Sequence, residues 1–180
     1  MNTRFKTARL LLRPPLEADL QWIVALLDNY AVSKNLRVVP HPYREADGVR
    51  WIADNRDKLA NGTDYAFALI RKNDEAFVGV CGVHPARDFE FGYWIGEPYW
   101  GNGYATEAGR RVVSFAFAEL GAPILRARFV IDNPASGRVL TKLGFVHTHD
   151  GTCPSLARGA EIPAHVMALT RERFDSMNAS

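Results

Sequence analysis

The sequence lacks the features that mark several specialised classes of protein. Among its 180 residues there are two cysteines, Cys81 and Cys153, which lie far apart and outside any CxxC pattern. They therefore predict neither a zinc site nor a disulfide framework. The longest apolar stretches, such as residues 22–27, are far shorter than the ~20 residues that span a bilayer. No apolar signal-peptide core follows the N-terminus, so we expect a reduced, cytoplasmic protein without a membrane partner.

The sequence also lacks a strong charge of one sign. Its 22 lysines and arginines against 20 aspartates and glutamates leave a net charge of +2. Nucleic-acid-binding proteins usually carry a concentrated basic excess, so we expect no nucleic-acid partner. What is present is an ordinary globular composition, 47% apolar, 11% aromatic and 23% charged. A chain of this length buries about 70% of its unfolded surface, and we expect a single domain over residues 1–180.

Hydrophobic patterning predicts one mixed α/β sheet domain with the element order β-α-α-β-β-β-α-β-α-β-β. Strands are predicted at residues 9–15, 65–70, 76–84, 89–95, 124–131, 145–149 and 162–169. Helices are predicted at residues 16–27, within 44–59, at 104–121 and at 134–142, and a loop is predicted at 151–159. The three strands between residues 65 and 95 follow one another through short connections, which predicts an antiparallel meander.

The segment from Gly101 to Thr106 has the composition of a phosphate-binding loop. Gly101 and Gly103 let the backbone turn sharply and approach a ligand. The helix that begins near Tyr104 has unpaired N–H groups in its first turn, and its dipole adds positive potential there. A plain strand-to-helix turn explains the glycines equally well. A Rossmann site does not fit, because Thr106 stands where its third glycine belongs, and no Gly-Lys-Ser/Thr of a Walker loop is present.

A second motif follows the next predicted strand. Asn133 and Ser136 lie three residues apart around a predicted helix start, and the helix ends at Gly144, directly before Phe145. On spacing alone this is a capping arrangement, with an asparagine N-cap, a serine in the first turn and a terminating glycine. The spacing leaves open whether the two polar side chains also bind a ligand.

Together, and in this order, the two motifs resemble those of the GNAT superfamily of acyl-CoA-dependent N-acetyltransferases. In that family a loop of the form Gln/Arg-x-x-Gly-x-Gly/Ala grips the CoA pyrophosphate, and residues 100–105 match it except for Trp100 at the first place. Residues 90–108, and the Asn-x-x-Ser helix that ends in Leu-Gly-Phe, are similar to the branch containing the ribosomal-protein N-terminal (alanine/serine) acetyltransferases. Residues 9–13 look like the opening strand of that branch. The resemblance covers nearly the whole chain.

The resemblance implies a single GNAT domain with acetyl-CoA as co-substrate. The expected fold is a central, mostly antiparallel twisted sheet flanked by about four helices, with the parallel strands 89–95 and 124–131 splayed apart around acetyl-CoA. A thioester is already activated, so no metal is expected. A backbone N–H near Trp94 and Ile95 would stabilise the developing oxyanion. By the resemblance, the cofactor-binding residues are Trp94, Ile95, Trp100, Gly101, Asn102, Gly103, Tyr104, Ala105, Thr106, Asn133 and Ser136.

The implied reaction is direct transfer of the acetyl group to a primary amine through a tetrahedral intermediate, without an acyl-enzyme. The acceptor is a protein N-terminus or a small-molecule amine. By the resemblance Glu90 is the catalytic base, although it also fits a solvated or salt-bridged carboxylate at a strand end. Many family members carry a tyrosine where this sequence has Leu140, which leaves Ser136 as the catalytic acid. Cys81 and Cys153 are expected to be structural.

Three features of the sequence leave alternatives open. A non-catalytic acyl-CoA-binding or regulatory module could keep the same fold. The missing tyrosine favours this alternative, and the intact Glu90, Asn133 and Ser136 oppose it. His147 and His149 could suggest a metal pair, but without an acidic or thiol partner nearby we expect a surface feature. Exposed strand edges make a homodimer possible. Residues 35–43 and 151–159 are predicted to be walls of the acceptor groove.

Overall fold

An eight-stranded sheet organises the fold in a computed structural model that describes residues 3–179. The strands are β1 (Phe5–Lys6), β2 (Leu10–Arg13), β3 (Tyr65–Arg71), β4 (Phe77–His84), β5 (Glu90–Ile95), β6 (Ile124–Val130), β7 (Val146–Ser155) and β8 (Ala160–Thr170). Their order across the sheet is β1-β2-β3-β4-β5-β6-β8-β7. Among the described residues each neighbouring pair is antiparallel except β5 with β6, which is parallel. The predicted meander is confirmed as β3, β4 and β5.

Six α-helices within residues 3–179 cover both faces of this sheet. They are α1 (Leu20–Leu27), α2 (Tyr30–Ser33), α3 (Glu45–Ala60), α4 (Tyr104–Ala118), α5 (Pro134–Lys142) and α6 (Arg171–Asn178). One core packs α4 and α5 against one face through buried side chains such as Phe115 and Leu140. A second core packs α1 and α3 against the other face through Ile23 and Ile52. None of the helices in this range is long and apolar enough to span a membrane.

The predicted fold class is confirmed, with corrections in two helices and two strands. The short strand β1 was not predicted, because only two residues, Phe5 and Lys6, pair with β2. Helix α2 was not predicted; it is a single turn begun by Asn29, whose side chain accepts a hydrogen bond from the Ala31 N–H. Helix α6 was not predicted either; it is mostly polar and stacks Phe174 on Phe117 of the core. Neither helix carries an apolar stripe long enough to be recognised. Residues 151–155, predicted to be a loop, continue β7, because pairing with β8 holds this polar hairpin in the sheet.

The parallel strands β5 and β6 open into a gap that positions the site. In the described residues they pair at Glu90 with Arg126, and the Arg126 N–H donates to the Phe89 carbonyl at 3.3 Å. The other edge of β6 pairs with β8 from Ile124 to Val130. Beyond Glu90, β5 therefore borders a gap between the two strands. This is the splayed arrangement that was expected for the parallel pair.

Candidate active site

A cavity of about 940 Å³ occupies the gap between β5 and β6. Asn102 lies outside its lining, because the side-chain amide donates to the Tyr99 and Trp100 carbonyls at 3.1 and 3.0 Å and shapes the loop from behind. The structure otherwise brings the predicted site residues of both motifs to one place. Those that line the cavity are Glu90, Trp94, Ile95, Trp100, Gly101, Gly103, Tyr104, Ala105, Thr106, Asn133 and Ser136.

The loop between β5 and α4 turns through two glycines with left-handed backbone. Gly101 has φ +77° and Gly103 has φ +79°, values that other residues rarely adopt. Among the described residues, a Cβ at Gly101 would meet no atom within 4 Å. Gly103 is the N-cap of α4, and its carbonyl accepts from the Glu107 N–H. The N–H groups of residues 104–106 precede that first helical bond, so they are left for a ligand, and the helix dipole favours an anion there.

Side chains fasten this loop and helix to the sheet. The Trp100 Nε1–H donates to the Ile95 carbonyl at 2.7 Å and so closes the end of β5. The Glu107 carboxylate accepts from the Thr7 hydroxyl at 2.5 Å and from the backbone N–H and guanidinium of Arg9, both at 2.7 Å. Burial on its own raises the pKa of Glu107, but these hydrogen bonds together bring it below its ordinary value. The ionised carboxylate therefore holds the N-terminus of α4 against the turn between β1 and β2.

The N-terminus of α5 brings Asn133 and Ser136 to the cavity. Asn133 Oδ1 accepts from the Ser136 N–H at 3.3 Å, so the predicted cap is present. The Ser136 hydroxyl oxygen accepts from the Tyr93 hydroxyl at 3.0 Å. Burial raises the pKa of Tyr93 to about 12, although the hydrogen bond with Ser136 opposes the shift, so the phenol keeps its proton at neutral pH. Tyr93 was not predicted as a site residue. The available signal was its position on β5, on the face of the strand opposite Glu90.

Two basic side chains on α5 also line the cavity and were missed in the sequence. Arg138 and Lys142 lie four residues apart, which places them on one side of the helix. They bring positive charge to the same cavity as the free N–H groups of α4. Their spacing, two and six residues after Ser136 on the same predicted helix, was the signal that could have identified them.

Glu90, the predicted base, lies in an ion-pair cluster. Its Oε2 accepts from Arg37 Nη2 at 2.7 Å, and its Oε1 lies 3.6 Å from Arg128 Nε. The Glu90 side chain is 15% exposed, so little water competes with these arginines. The salt-bridged carboxylate considered from the sequence is therefore what the structure shows, and the base role stays a prediction. No sequence pattern pointed to either arginine.

A second titratable pair lies beside Glu90, and sequence reasoning missed it as well. His84 ends β4 and is the register partner of Glu90, so both side chains lie on one face of the sheet. His84 Nδ1 lies 2.7 Å from Oδ1 of Asp64, which precedes β3 and is 8% exposed. Both residues line the cavity. A carboxylate beside one ring nitrogen determines which nitrogen carries the proton.

The two cysteines are buried thiols. Cys81 on β4 is fully buried, and Cys153 on β7 is nearly so. Burial raises the pKa of both thiols, so neither is a thiolate at neutral pH. This environment suits the structural role expected for them.

The histidines of β7 lie outside the cavity lining, and one expectation about them is wrong. His147 Nε2 and His165 Nδ1 lie 2.8 and 2.6 Å from Oδ1 of Asp150, so an acidic partner is directly beside them. The ligand atoms of these three residues fall within 4.8 Å of one another. A register shift separates His147 from His149 along β7. The hydrogen bond from His147, and then that from His165, lower the pKa of the exposed Asp150 carboxyl.

The sequence and the fold are both similar to those of known proteins. Residues 9–146 match the family model described as an acetyltransferase (GNAT) domain. The chain is 32% identical to the uncharacterized N-acetyltransferase YoaA of Bacillus subtilis (strain 168), over 78% of its own length and 81% of the relative's. The spermidine N-acetyltransferase of Vibrio cholerae, solved with CoA and spermine, has a TM-score of 0.77 at 17% identity, covering 93% of this chain and 98% of that one. The ribosomal-protein-S5-alanine acetyltransferase of Vibrio fischeri has a TM-score of 0.78 at 15% identity, covering 96% and 99%. At such identities the two solved structures show a shared fold.

Proposed function

The chain belongs to the GNAT acetyltransferase family and is an N-acetyltransferase, and from this premise we propose that it transfers the acetyl group of acetyl-CoA directly to a primary amine. The observation that carries the proposal is the cavity between β5 and β6, which has an anion-binding helix end and a cluster of titratable groups. Its cofactor end is lined by residues 99–106 except Asn102, and by α5. Its acceptor end is formed by residues 35–37 with Asp64, His84, Glu90 and Arg128.

The residues of the cofactor end fit acetyl-CoA. The free N–H groups of residues 104–106 suit a pyrophosphate, and Gly101 leaves room for it to approach the backbone. Arg138 and Lys142 supply positive charge for a further phosphate. The cavity, about 940 Å³, matches the upper range of small-molecule sites. Acetyl-CoA supplies an acetyl group already activated as a thioester, so the proposed chemistry requires no metal.

Groups near the middle of the cavity suit the charges that develop during acyl transfer. A backbone N–H near Trp94 and Ile95, on the edge of β5 that borders the gap, is assigned to the developing oxyanion. Ser136 is assigned to donate a proton to the departing thiolate. The Tyr93 hydroxyl, which donates to Ser136 and stays protonated at neutral pH, can restore that proton. Because a thiol pKa is ordinarily about 8.5, the leaving group needs only modest help.

The acceptor must lose protons because only a neutral amine is nucleophilic. A lysine side chain with pKa about 10.4 is roughly 0.1% neutral at physiological pH, whereas an α-amine near 8 is about a fifth neutral. A protein N-terminus therefore demands less of a catalytic base than a lysine or an aliphatic small-molecule amine does. Glu90 is the predicted base. To act as the base, its carboxylate has to accept the proton of the amine while it is hydrogen-bonded to Arg37 and close to Arg128.

Calorimetric titration tests the cofactor end. We expect micromolar binding of acetyl-CoA, weaker binding of phosphate-free acetyl-pantetheine and no binding of NAD. A folded sample that binds no acetyl-CoA would overturn the proposal. Thiol release from acetyl-CoA is then measured with a panel of peptides and small amines. Tight binding of acetyl-CoA, with no thiol release in the presence of any acceptor of the panel, would favour the non-catalytic acyl-CoA-binding alternative.

A further inference from the structure

We propose that His84, oriented by Asp64, is the base that takes the proton of the acceptor amine in this chain; the inference rests on the proposed function. His84 lines the acceptor end of the cavity from the last position of β4. It shares a sheet face with Gly92 and Trp94, because Gly82 and Val80, the alternate residues of β4, are their register partners. The imidazole therefore lies over the strand to which the thioester is assigned.

The contact with Asp64 prepares one ring nitrogen for proton uptake. At 2.7 Å from Asp64 Oδ1, the His84 Nδ1 carries its proton toward the carboxylate, which leaves the lone pair of a neutral ring on Nε2. Asp64 is 8% exposed, so its carboxylate is held in place and stabilises the imidazolium that forms when Nε2 gains a proton. Among residues 3–179, Nε2 has no hydrogen-bond partner of its own.

Gly92 leaves space for this nitrogen to act. A Cβ at Gly92 would lie 3.9 Å from His84 Nε2, which places that nitrogen directly above the strand. Gly92 and Trp94 are two residues apart, or ~7 Å along the strand. An amine that attacks a thioester beside Trp94 is thus within reach of Nε2, directly or through one water. The missing side chain at Gly92 keeps the path clear.

Glu90 is less free than His84 to accept a proton. Both of its oxygens face guanidinium groups, whereas the free nitrogen of His84 faces the cavity. Charged side chains that line this part of the cavity around His84 and Asp64 are Arg37, Asp54, Lys58, Arg87, Glu90 and Arg128.

The acceptor nitrogen gives up two protons in the proposed reaction. An ammonium acceptor loses one proton to Nε2, and the neutral nitrogen attacks the acetyl carbonyl carbon. A C–N bond forms, the C–S bond breaks and the electron pair leaves on sulfur. The second proton lost from nitrogen is matched by one that the thiolate gains through Ser136. The products are the amide and the free CoA thiol, and the proton on Nε2 passes to solvent.

The test compares His84→Asn with Glu90→Gln and with His165→Asn, a histidine substitution outside the cavity lining. For an aliphatic amine, we expect His84→Asn to lower kcat about 100-fold, within the usual range for loss of a general base. Acetyl-CoA affinity measured by calorimetry should stay at the wild-type value. Asp64→Asn should give a smaller loss because the ring remains but its tautomer is no longer fixed. His165→Asn should keep the wild-type kcat.

Two readouts separate a base from a structural role. Hydroxylamine is largely neutral at pH 7, so with this acceptor the His84→Asn defect should shrink about tenfold relative to the aliphatic amine. Added imidazole should restore part of the activity of His84→Ala. Wild-type kcat in His84→Asn, or an equal defect with both acceptors, would overturn the assignment while leaving the proposed function intact. Absence of turnover in the wild-type protein would instead overturn the proposed function.

Discussion

The two ends of the cavity are built from different kinds of contact. The glycine loop of the cofactor end, residues 96–106, is a continuous segment shaped largely by its own backbone, as when the Trp100 N–H donates to the Glu97 carbonyl at 3.1 Å. The acceptor end joins distant segments through side chains, since the hydrogen bond from Arg37 to Glu90 spans 53 residues. Backbone geometry therefore shapes the loop of the first end, and pairing of charged groups joins the segments of the second.

This difference determines which positions are sensitive at each end. At the cofactor end, and on β4 beside it, the sensitive positions are glycines, because an added Cβ meets backbone or enters the space proposed for the ligand. At the acceptor end they are charged residues, whose replacement loosens one segment without altering the backbone of another. In a chain built this way, substitutions at the acceptor end leave the backbone of the proposed acetyl-CoA site unchanged.

The largest expected effect comes from Gly79→Ala on β4. A Cβ there would lie 2.2 Å from the Trp94 carbonyl oxygen and 2.9 Å from the Ile95 Cα, and backbone atoms cannot move aside cheaply. We expect a loss of about 3 kcal/mol or more in the free energy of unfolding, measured by urea denaturation. Gly92→Ala is the control, since its nearest neighbour is 3.9 Å away. Equal stability of the two variants would show that β4 and β5 are not rigidly packed here.

The next effect concerns ligand binding at the cofactor end. Gly101→Ala and Gly121→Ala place a methyl group on left-handed backbone, φ +77° and +68°, where among the described residues no atom lies within 4 Å. Each should cost about 1 kcal/mol of stability. Gly101→Ala should also weaken acetyl-CoA binding about tenfold, because the methyl group enters the proposed phosphate site. Calorimetry that finds the same acetyl-CoA affinity in both variants would contradict this.

A smaller effect tests the fastening of α4. Since the folded-state pKa of Glu107 is lowered overall, its ionised form stabilises the fold above the ordinary carboxyl pKa of about 4.3, and this contribution is lost as the pH falls through the folded value. Glu107→Gln should therefore cost about 1 kcal/mol near pH 7. The difference between the variant and the wild type in the free energy of unfolding, measured with denaturant, should become progressively smaller as the pH is lowered. A difference that is constant with pH would mean that the ionised carboxylate is not what holds the helix.

The smallest effect tests the acceptor end. Arg158 donates through Nε to the Lys34 carbonyl at 2.8 Å and pairs with Asp132 at 2.8 and 3.0 Å. Arg158→Met releases the segment that carries Arg37, so the KM for the acceptor should rise about threefold, in line with the small value of an ion pair near the surface. Acetyl-CoA affinity should not change. If steady-state kinetics show an unchanged KM for the acceptor, the charged contacts of Arg158 do not determine acceptor binding, and the proposed difference between the two ends is contradicted.

The cofactor end could be predicted from the sequence because its signals are local. The backbone roles of Gly101, Gly103 and the N-cap Asn133 can be recognised from the residues next to them in the sequence. The splayed pair of parallel strands was implied by the family resemblance that these motifs carry. The acceptor end could not be predicted in this way. The pairing of His84 with Asp64 depends on the register of the meander, which hydrophobic patterning leaves undefined. Short or polar elements, α2 and α6, were missed because tertiary packing rather than an apolar stripe defines them.

The contact between Arg158 and the Lys34 carbonyl also has a consequence for the order of assembly. It joins residues 124 positions apart in the chain. A ribosome delivers the N-terminal part first, so Lys34 emerges long before the arginine that fixes it. During synthesis, the glycine loop and both helices of the cofactor end are therefore available before the wall next to Arg37 can be fastened. Selection between acceptors is completed with the last hairpin to be translated.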